Sequence, residues 1–140
     1  MFVESRDDAR RFFFDVWRQL KDGTVPEGLP RLVGEILRWH PEYHALLDDG
    51  PRVLARDFGG AEPAHNPFLH LGLHVALAEQ LQADRPAGIV ALHAALLARG
   101  EPVHEAAHLM IECLAAELWR AQSAGRLPDD QSYLAALRRL

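Results

Sequence analysis

Histidines four residues apart are the feature of this sequence that most constrains its fold. The chain has eight histidines in 140 residues, and random placement would give about 0.4 pairs at that spacing. Three such pairs are present. Residues four apart lie on one face of an α-helix, so the pattern favours helices that each present two imidazoles on the same side. The pairs are His40 and His44, His70 and His74, and His104 and His108.

The rest of the sequence predicts an all-α fold. Ala, Leu, Arg and Glu are abundant, and no alternating run of β-branched residues is bounded by turn signals. A chain of 140 residues has the length of one domain, so we predict a single domain over residues 1–140. Short connections favour an antiparallel bundle of about five to six helices. The predicted helices cover about residues 5–21, 32–44, 66–82, 87–99, 102–124 and 129–140, with Ser5 as the first N-cap.

Pro41 leaves the orientation of the first histidine pair open. Proline disfavours the α conformation in the preceding His40, and its ring clashes with the carbonyl of Leu37. The helix therefore either kinks at this point or ends and restarts with Pro41 in its first turn.

The spacing of apolar residues turns the histidine pairs toward the interior. At 100° per residue, His70 and His74 share a face with leucines, and His104 and His108 share one with Ala107 and Ile111. Buried imidazoles cannot all be charged, and each neutral ring has a donor and an acceptor to satisfy. Imidazole is also the commonest metal ligand. We therefore predict a core site for iron, either mononuclear or di-iron, or for zinc, with the ligands His40, His44, His70, His74, His104, His108 and Glu112.

Two other functions are compatible with the same residues. Residues 104–108 read HEAAH and match the H-E-x-x-H pattern of zinc hydrolases, in which Glu105 would activate water. No strands are predicted to line a substrate cleft, and so this match is weak. The second alternative is a small interaction protein, without enzymatic activity, whose histidines form a buried network. The three tryptophans, Trp17, Trp39 and Trp119, lie among apolar residues and are predicted to pack in the core.

Composition argues against several classes of partner. The net charge is −5 and basic residues are scattered, so no nucleic acid is expected. No apolar run reaches the roughly 18 residues of a membrane span, and the first residues do not resemble a signal peptide. We therefore expect a cytoplasmic protein whose partner is a metal ion, and a homodimer is compatible with the sequence. The lone Cys113 cannot form an internal disulfide.

Several segments resemble a family of small bacterial proteins catalogued as a domain of unknown function. They are HPEYHALL (40–47), NPFLHLGLHVALAEQL (66–81), DRPAGI (84–89), AHLMIECLAAELWRAQ (107–122) and PDDQSYLAALRR (128–139). The resemblance covers most of the chain and implies no activity. The predicted site is similar to those of hemerythrin-like and DinB-like helical bundles, which hold metals with histidines from facing helices. The order of ligands along a hemerythrin chain is not reproduced here.

Overall fold

The computed structural model describes residues 6–54, 56, 58 and 66–140. Within these residues the chain forms seven α-helices and no strand, which confirms the all-α prediction. The helices are α1 (Arg6–Lys21), α2 (Leu29–Arg38), α3 (His44–Asp49), α4 (Pro67–Ala83), α5 (Ile89–Ala98), α6 (Val103–Ala124) and α7 (Asp130–Arg138). Two short 3-10 turns, Pro41–Tyr43 and Gly50–Val53, precede and follow α3.

Where the structure describes the residues concerned, helices begin and end at the capping and stop residues that the sequence predicts. The side chain of Asn66 accepts hydrogen bonds from the backbone N–H groups of Phe68 and Leu69, so α4 begins at Pro67. The side chain of Asp129 caps α7 in the same way. Gly125 follows α6 in the left-handed conformation that favours glycine. The predicted cap Ser5 lies outside the described residues.

Pro41 ends one helical segment and begins another, as in the second of the two predicted outcomes. α2 stops at Arg38, and His40 adopts a non-helical conformation (φ −122°, ψ 63°) as the N-cap of the turn that Pro41 opens. The α-helix resumes at His44. The seventh helix, α3, results from this break, and His40 and His44 do not share a helix.

The chain divides into two compact units, Met1–Val75 (unit 1) and Ala76–Leu140 (unit 2). The boundary falls inside α4, so a single helix contributes residues to both. The prediction of one domain and that of an antiparallel arrangement both stay predictions.

In unit 1, α1 packs against α2 and α3. Phe13, Leu37 and Leu71 are fully buried. A Cβ at Gly34 of α2 would lie 3.2 Å from Leu20 Cδ2, so glycine allows a close approach of α2 to α1. Arg10 of α1 is buried as well. Its Nη1 donates to the carbonyl oxygens of residues 53, 54 and 56, at 2.9, 2.8 and 2.7 Å.

In unit 2, α6 packs against α5 and α7 around buried Ile89, Met110 and Tyr133. The carboxylate of Glu117 is buried in α6 and accepts hydrogen bonds from Arg120, Arg126 and the backbone N–H of Asp129. These bonds tie α6 to the segment that enters α7. Sequence reasoning missed them because an isolated glutamate on a helix carries no signal of burial.

Two of the three tryptophans are exposed, so their predicted core positions are wrong. Trp39 is 43% exposed and Trp119 is 64% exposed. Trp119 is two residues from buried Glu117 and two from buried Ala121. Two residues correspond to about 200° around a helix, which turns Trp119 away from the buried face. Among the described residues, no helix has the length and apolar character needed to cross a bilayer.

Candidate metal centre

Three histidines of unit 1 contact one another directly. His70 Nε2 lies 3.2 Å from His40 Nε2 and 3.1 Å from His74 Nε2. The rings meet edge to face, with centroids 4.5 to 5.1 Å apart. His40 is 0% exposed and His74 is 3% exposed, whereas His70 is half-buried. These residues are called the three-histidine cluster below.

The break at Pro41 positions His40 in this cluster. His40 follows the end of α2, and its Nδ1 lies 2.7 Å from the carbonyl oxygen of Ile36. Because a carbonyl only accepts hydrogen bonds, Nδ1 carries a proton. In the neutral ring Nε2 therefore has the lone pair, and it is this atom that faces His70. A backbone carbonyl that fixes the tautomer of an imidazole is a common feature behind metal-binding histidines.

Neutral rings cannot make two ordinary hydrogen bonds within the three-histidine cluster. His70 Nε2 would have to donate its proton to His40 Nε2, which leaves it no lone pair to accept one from His74. The Nε2 atoms of the three rings would then share a single proton. A metal cation would instead accept all three lone pairs. Two nitrogens bound tetrahedrally at 2.0–2.1 Å are about 3.3–3.4 Å apart, close to the two separations in the cluster.

The second helical pair, His104 and His108, lies in the first turns of α6. Its rings meet edge to face with centroids 4.1 Å apart, and both residues are half-buried. These two histidines belong to unit 2, and their predicted role as ligands beside the three-histidine cluster stays a prediction.

The other predicted site residues have different surroundings. His44 packs its ring on Trp17, with centroids 4.3 Å apart, and its Nε2 lies 2.8 Å from the carbonyl oxygen of Leu37. The helix restart explains this placement, since His44 begins α3 while His40 precedes the turn. Glu105 and Glu112 of α6 are exposed. Neither they nor His44 belong to the three-histidine cluster, and their roles stay predictions.

Tyr43 is a residue of this site that sequence reasoning missed. Its ring stacks parallel to that of His40, with an interplanar angle of 4° and centroids 5.5 Å apart. Burial and the neighbouring Glu42 raise the pKa of Tyr43, which keeps its hydroxyl neutral. The stacking restricts rotation of the His40 ring. The spacing His-Pro-Glu-Tyr could have indicated it only if the tight turn at Pro41 had been known.

The remaining histidine and the cysteine of unit 2 show no sign of chemical activation. Burial lowers the pKa of His93, which favours its neutral form. Burial also raises the pKa of Cys113, the opposite of what a nucleophilic thiolate needs. Both observations favour structural roles for these two side chains.

A protein family matches the chain over most of its length. A family model described as a domain of unknown function, DUF1841, matches residues 5–139, so the chain belongs to that family. No curated protein and no solved structure matches the chain. The family description assigns no chemistry, and the case for a function therefore depends on the histidines.

Proposed function

We propose that this protein binds one transition-metal ion, zinc or iron, through His40, His70 and His74. The observation that carries the proposal is that His70 Nε2 lies 3.2 Å from His40 Nε2 and 3.1 Å from His74 Nε2. Three nitrogen donors with one open position match the ligand set of catalytic zinc sites. Imidazole suits iron as well. The analogy with hemerythrin-like and DinB-like sites extends only to histidines drawn from separate segments of the chain.

A mononuclear site fits this donor set better than a di-iron site. Di-iron sites in helical bundles use several glutamates. The three-histidine cluster contains no carboxylate, and Glu112 is exposed. Neutral ligands leave the full charge of a divalent ion in place, which strengthens its action on a bound water or anion.

Metal content tests the proposal directly. The protein is purified without a histidine tag from medium containing both zinc and iron, and its metals are measured by elemental analysis. We expect about one equivalent of metal in the native chain, as a single site would hold. The variant His74→Gln should retain less than about a tenth of that after dialysis against a weak chelator. The absorption spectrum distinguishes coloured iron from colourless zinc.

The matched control is His93→Gln. His93 is a half-buried histidine of α5 that lies outside the three-histidine cluster, so its substitution should leave the metal content unchanged. Native protein that contains no metal and takes up none on reconstitution would refute the proposal. Full metal content in His74→Gln would refute the assignment of the ligands.

A buried histidine network is the second candidate function, and the short contacts within the three-histidine cluster favour it. Without metal, protonation would place like charges on rings whose nitrogens are 3.1 and 3.2 Å apart. Stability should then fall as the pH drops below about 6.5, where free histidine gains a proton. Chemical denaturation from pH 8 to 5 measures this. The network is supported if zinc leaves the melting temperature unchanged, and a flat profile contradicts it.

A zinc hydrolase would need Glu105 as the base beside His104 and His108. The exposed carboxylate of Glu105 is compatible with contact to solvent. If hydrolysis occurs, Glu105→Gln should keep the metal and lose turnover by at least about a hundredfold. A loss of metal in the same variant would instead make Glu105 a ligand.

A further inference from the structure

A cleft in unit 1, between α1 and α3, has the size of a small-molecule site. Its volume is about 340 Å³, and pockets that bind organic ligands begin at roughly 300 Å³. Phe14 and Trp17 of α1 and Leu47 of α3 form its apolar wall. None of the described residues that line the cleft belongs to the three-histidine cluster, so a ligand bound here does not depend on the metal function.

Two rings of the apolar wall are held in place by other aromatic rings. Phe14 meets Phe68 edge to face, with centroids 5.7 Å apart, and Trp17 packs on His44, with centroids 4.3 Å apart. Leu47 is buried. Because these side chains are already ordered, little conformational entropy is lost when a ligand packs against them.

Asp48 and Lys21 place opposite charges side by side on the exposed rim of the cleft. Asp48 Oδ1 accepts hydrogen bonds from Lys21 Nζ at 2.7 Å and from Trp17 Nε1 at 2.8 Å. These two bonds lower the pKa of Asp48, so its carboxylate is ionised at neutral pH. Its second oxygen, Oδ2, can accept from a ligand, and Lys21 has further N–H groups to donate.

The balance of charge around the cleft selects the class of ligand. Its lining includes two basic residues, Arg18 and Lys21, and two acidic residues, Asp22 and Asp48. Since these charges cancel, the cleft favours neither an anion such as phosphate nor an organic cation. A ligand that has one charge of each sign, a few bonds apart, can pair with Asp48 and Lys21 at the same time.

We propose that this cleft binds a free α-amino acid with a large apolar side chain. The α-ammonium group donates to Asp48 Oδ2, and the α-carboxylate accepts from Lys21 Nζ. The side chain packs against the apolar wall, where an aromatic ring gains favourable contact with Phe14 and Trp17.

Isothermal titration calorimetry of the purified chain with L-phenylalanine and L-leucine tests the proposal. For L-phenylalanine we expect one site with a dissociation constant of about 1 mM or lower, within the range for ligands of this size. Two analogues each lack one charge: 3-phenylpropanoate has no ammonium group, and 2-phenylethylamine has no carboxylate. Each should bind at least about tenfold more weakly, since one hydrogen bond between charged groups is lost. Glycine, which lacks the apolar side chain, should show no saturable binding up to about 10 mM.

The analogues also define what would overturn the proposal. Equal affinity for L-phenylalanine and for either singly charged analogue would exclude an amino acid as the ligand. Binding of glycine as tight as that of L-phenylalanine would exclude a role for the apolar wall. If neither L-phenylalanine nor L-leucine binds, the cleft is not an amino-acid site.

The indole signals of the tryptophans locate the bound ligand. In the isotope-labelled chain each indole N–H gives its own NMR signal, and Trp17→Phe identifies the signal of Trp17 by its absence. Because Trp17 lines the cleft, saturating L-phenylalanine should shift its signal. Trp39 and Trp119 are exposed and do not line the cleft, so their signals should stay unchanged. Shifts confined to these two exposed tryptophans would overturn the location.

Two variants test the polar contacts. Asp48→Asn keeps an oxygen that accepts from Trp17 and Lys21 but loses the charge, so L-phenylalanine should bind at least about tenfold more weakly. Lys21→Gln should weaken binding to a similar extent, and it supplies the test if Asp48→Asn does not fold. The matched control is Asp49→Asn. Asp49 is exposed on the same helix and does not line the cleft, so the affinity should stay within about twofold of native. Circular dichroism verifies that each variant is folded, and native affinity in a folded Asp48→Asn or Lys21→Gln variant would overturn the proposed contacts.

Discussion

Replacing Arg10 with methionine should destabilise the chain by about 3–5 kcal/mol, as expected when one partner of a buried charged interaction is removed. Arg10 is 2% exposed, and its Nη1 lies within 2.9 Å of three carbonyl oxygens. Hydrogen bonds from a charged donor contribute about 1.5–3 kcal/mol each. One nitrogen carries only two protons, so the three contacts count as two bonds.

Two further contributions act in opposite directions. The guanidinium carbon lies 4.8 Å from the centre of the Phe68 ring, a cation–π contact that adds about 1 kcal/mol. Methionine recovers a similar amount, about 1–2 kcal/mol, by burying apolar surface. Because Phe68 is in the first turn of α4, two residues before His70, the substitution should also loosen the start of the helix that carries the three-histidine cluster.

Urea denaturation monitored by circular dichroism measures the change, and the neighbouring arginine supplies the control. Arg11 is exposed and lies 3.7 Å from Asp8, so Arg11→Met should change the stability by less than about 0.5 kcal/mol. If Arg10→Met does not fold, Arg10→Lys retains the charge and should lose less. A loss below about 1 kcal/mol in Arg10→Met would refute the reasoning, since it would mean that the carbonyls find water or other donors at no cost.

Two more predictions follow from the described contacts. The backbone N–H of Asp129 and the guanidinium groups of Arg126 and Arg120 lower the pKa of Glu117 from 4.5 to about 2, so its contribution to stability is present above pH 4.5 and lost as the pH falls toward 2. Denaturation at pH 7 and pH 3 should show a smaller difference in Glu117→Gln than in the native chain, and equal differences would contradict this. Tyr43→Phe keeps the ring stacked on His40 and should bind Co²⁺ as the native chain does. Tyr43→Leu should bind about tenfold more weakly, as when a residue that orients a ligand is lost, and equal affinities would exclude an orienting role.

Local sequence signals predict most of the helices because the residues that start and stop a helix act on their own neighbours. The cap at Asn66, the stop at Gly125 and the cap at Asp129 each depend on a few adjacent backbone groups. Burial is harder to predict because it depends on what packs against each face. Trp119 is apolar and lies on a long helix, yet it is exposed, whereas the charged Arg10 and Glu117 are buried. Their partners are carbonyls, amides and arginines that periodicity cannot identify.

The same distinction applies to the site. Spacing along one helix predicts that His70 and His74 lie together and that His104 and His108 lie together, and the ring contacts confirm both pairs. The spacing does not predict where His40 and His44 lie, because Pro41 separates them. Each ring then bonds a different backbone carbonyl. A four-residue spacing across a proline therefore carries little information about ligands.

The break at Pro41 positions His40 in the three-histidine cluster. Had the helix continued, His40 and His44 would lie one turn apart on a common face. Because α2 ends at Arg38 instead, His40 leaves the helical path and its Nδ1 bonds the carbonyl of Ile36. Its Nε2 then faces His70, and the ring of Tyr43, in the following turn, stacks on the His40 ring. A proline that costs the chain a continuous helix thus places a buried imidazole of fixed tautomer against the paired histidines of α4, which is the arrangement that a metal ligand requires.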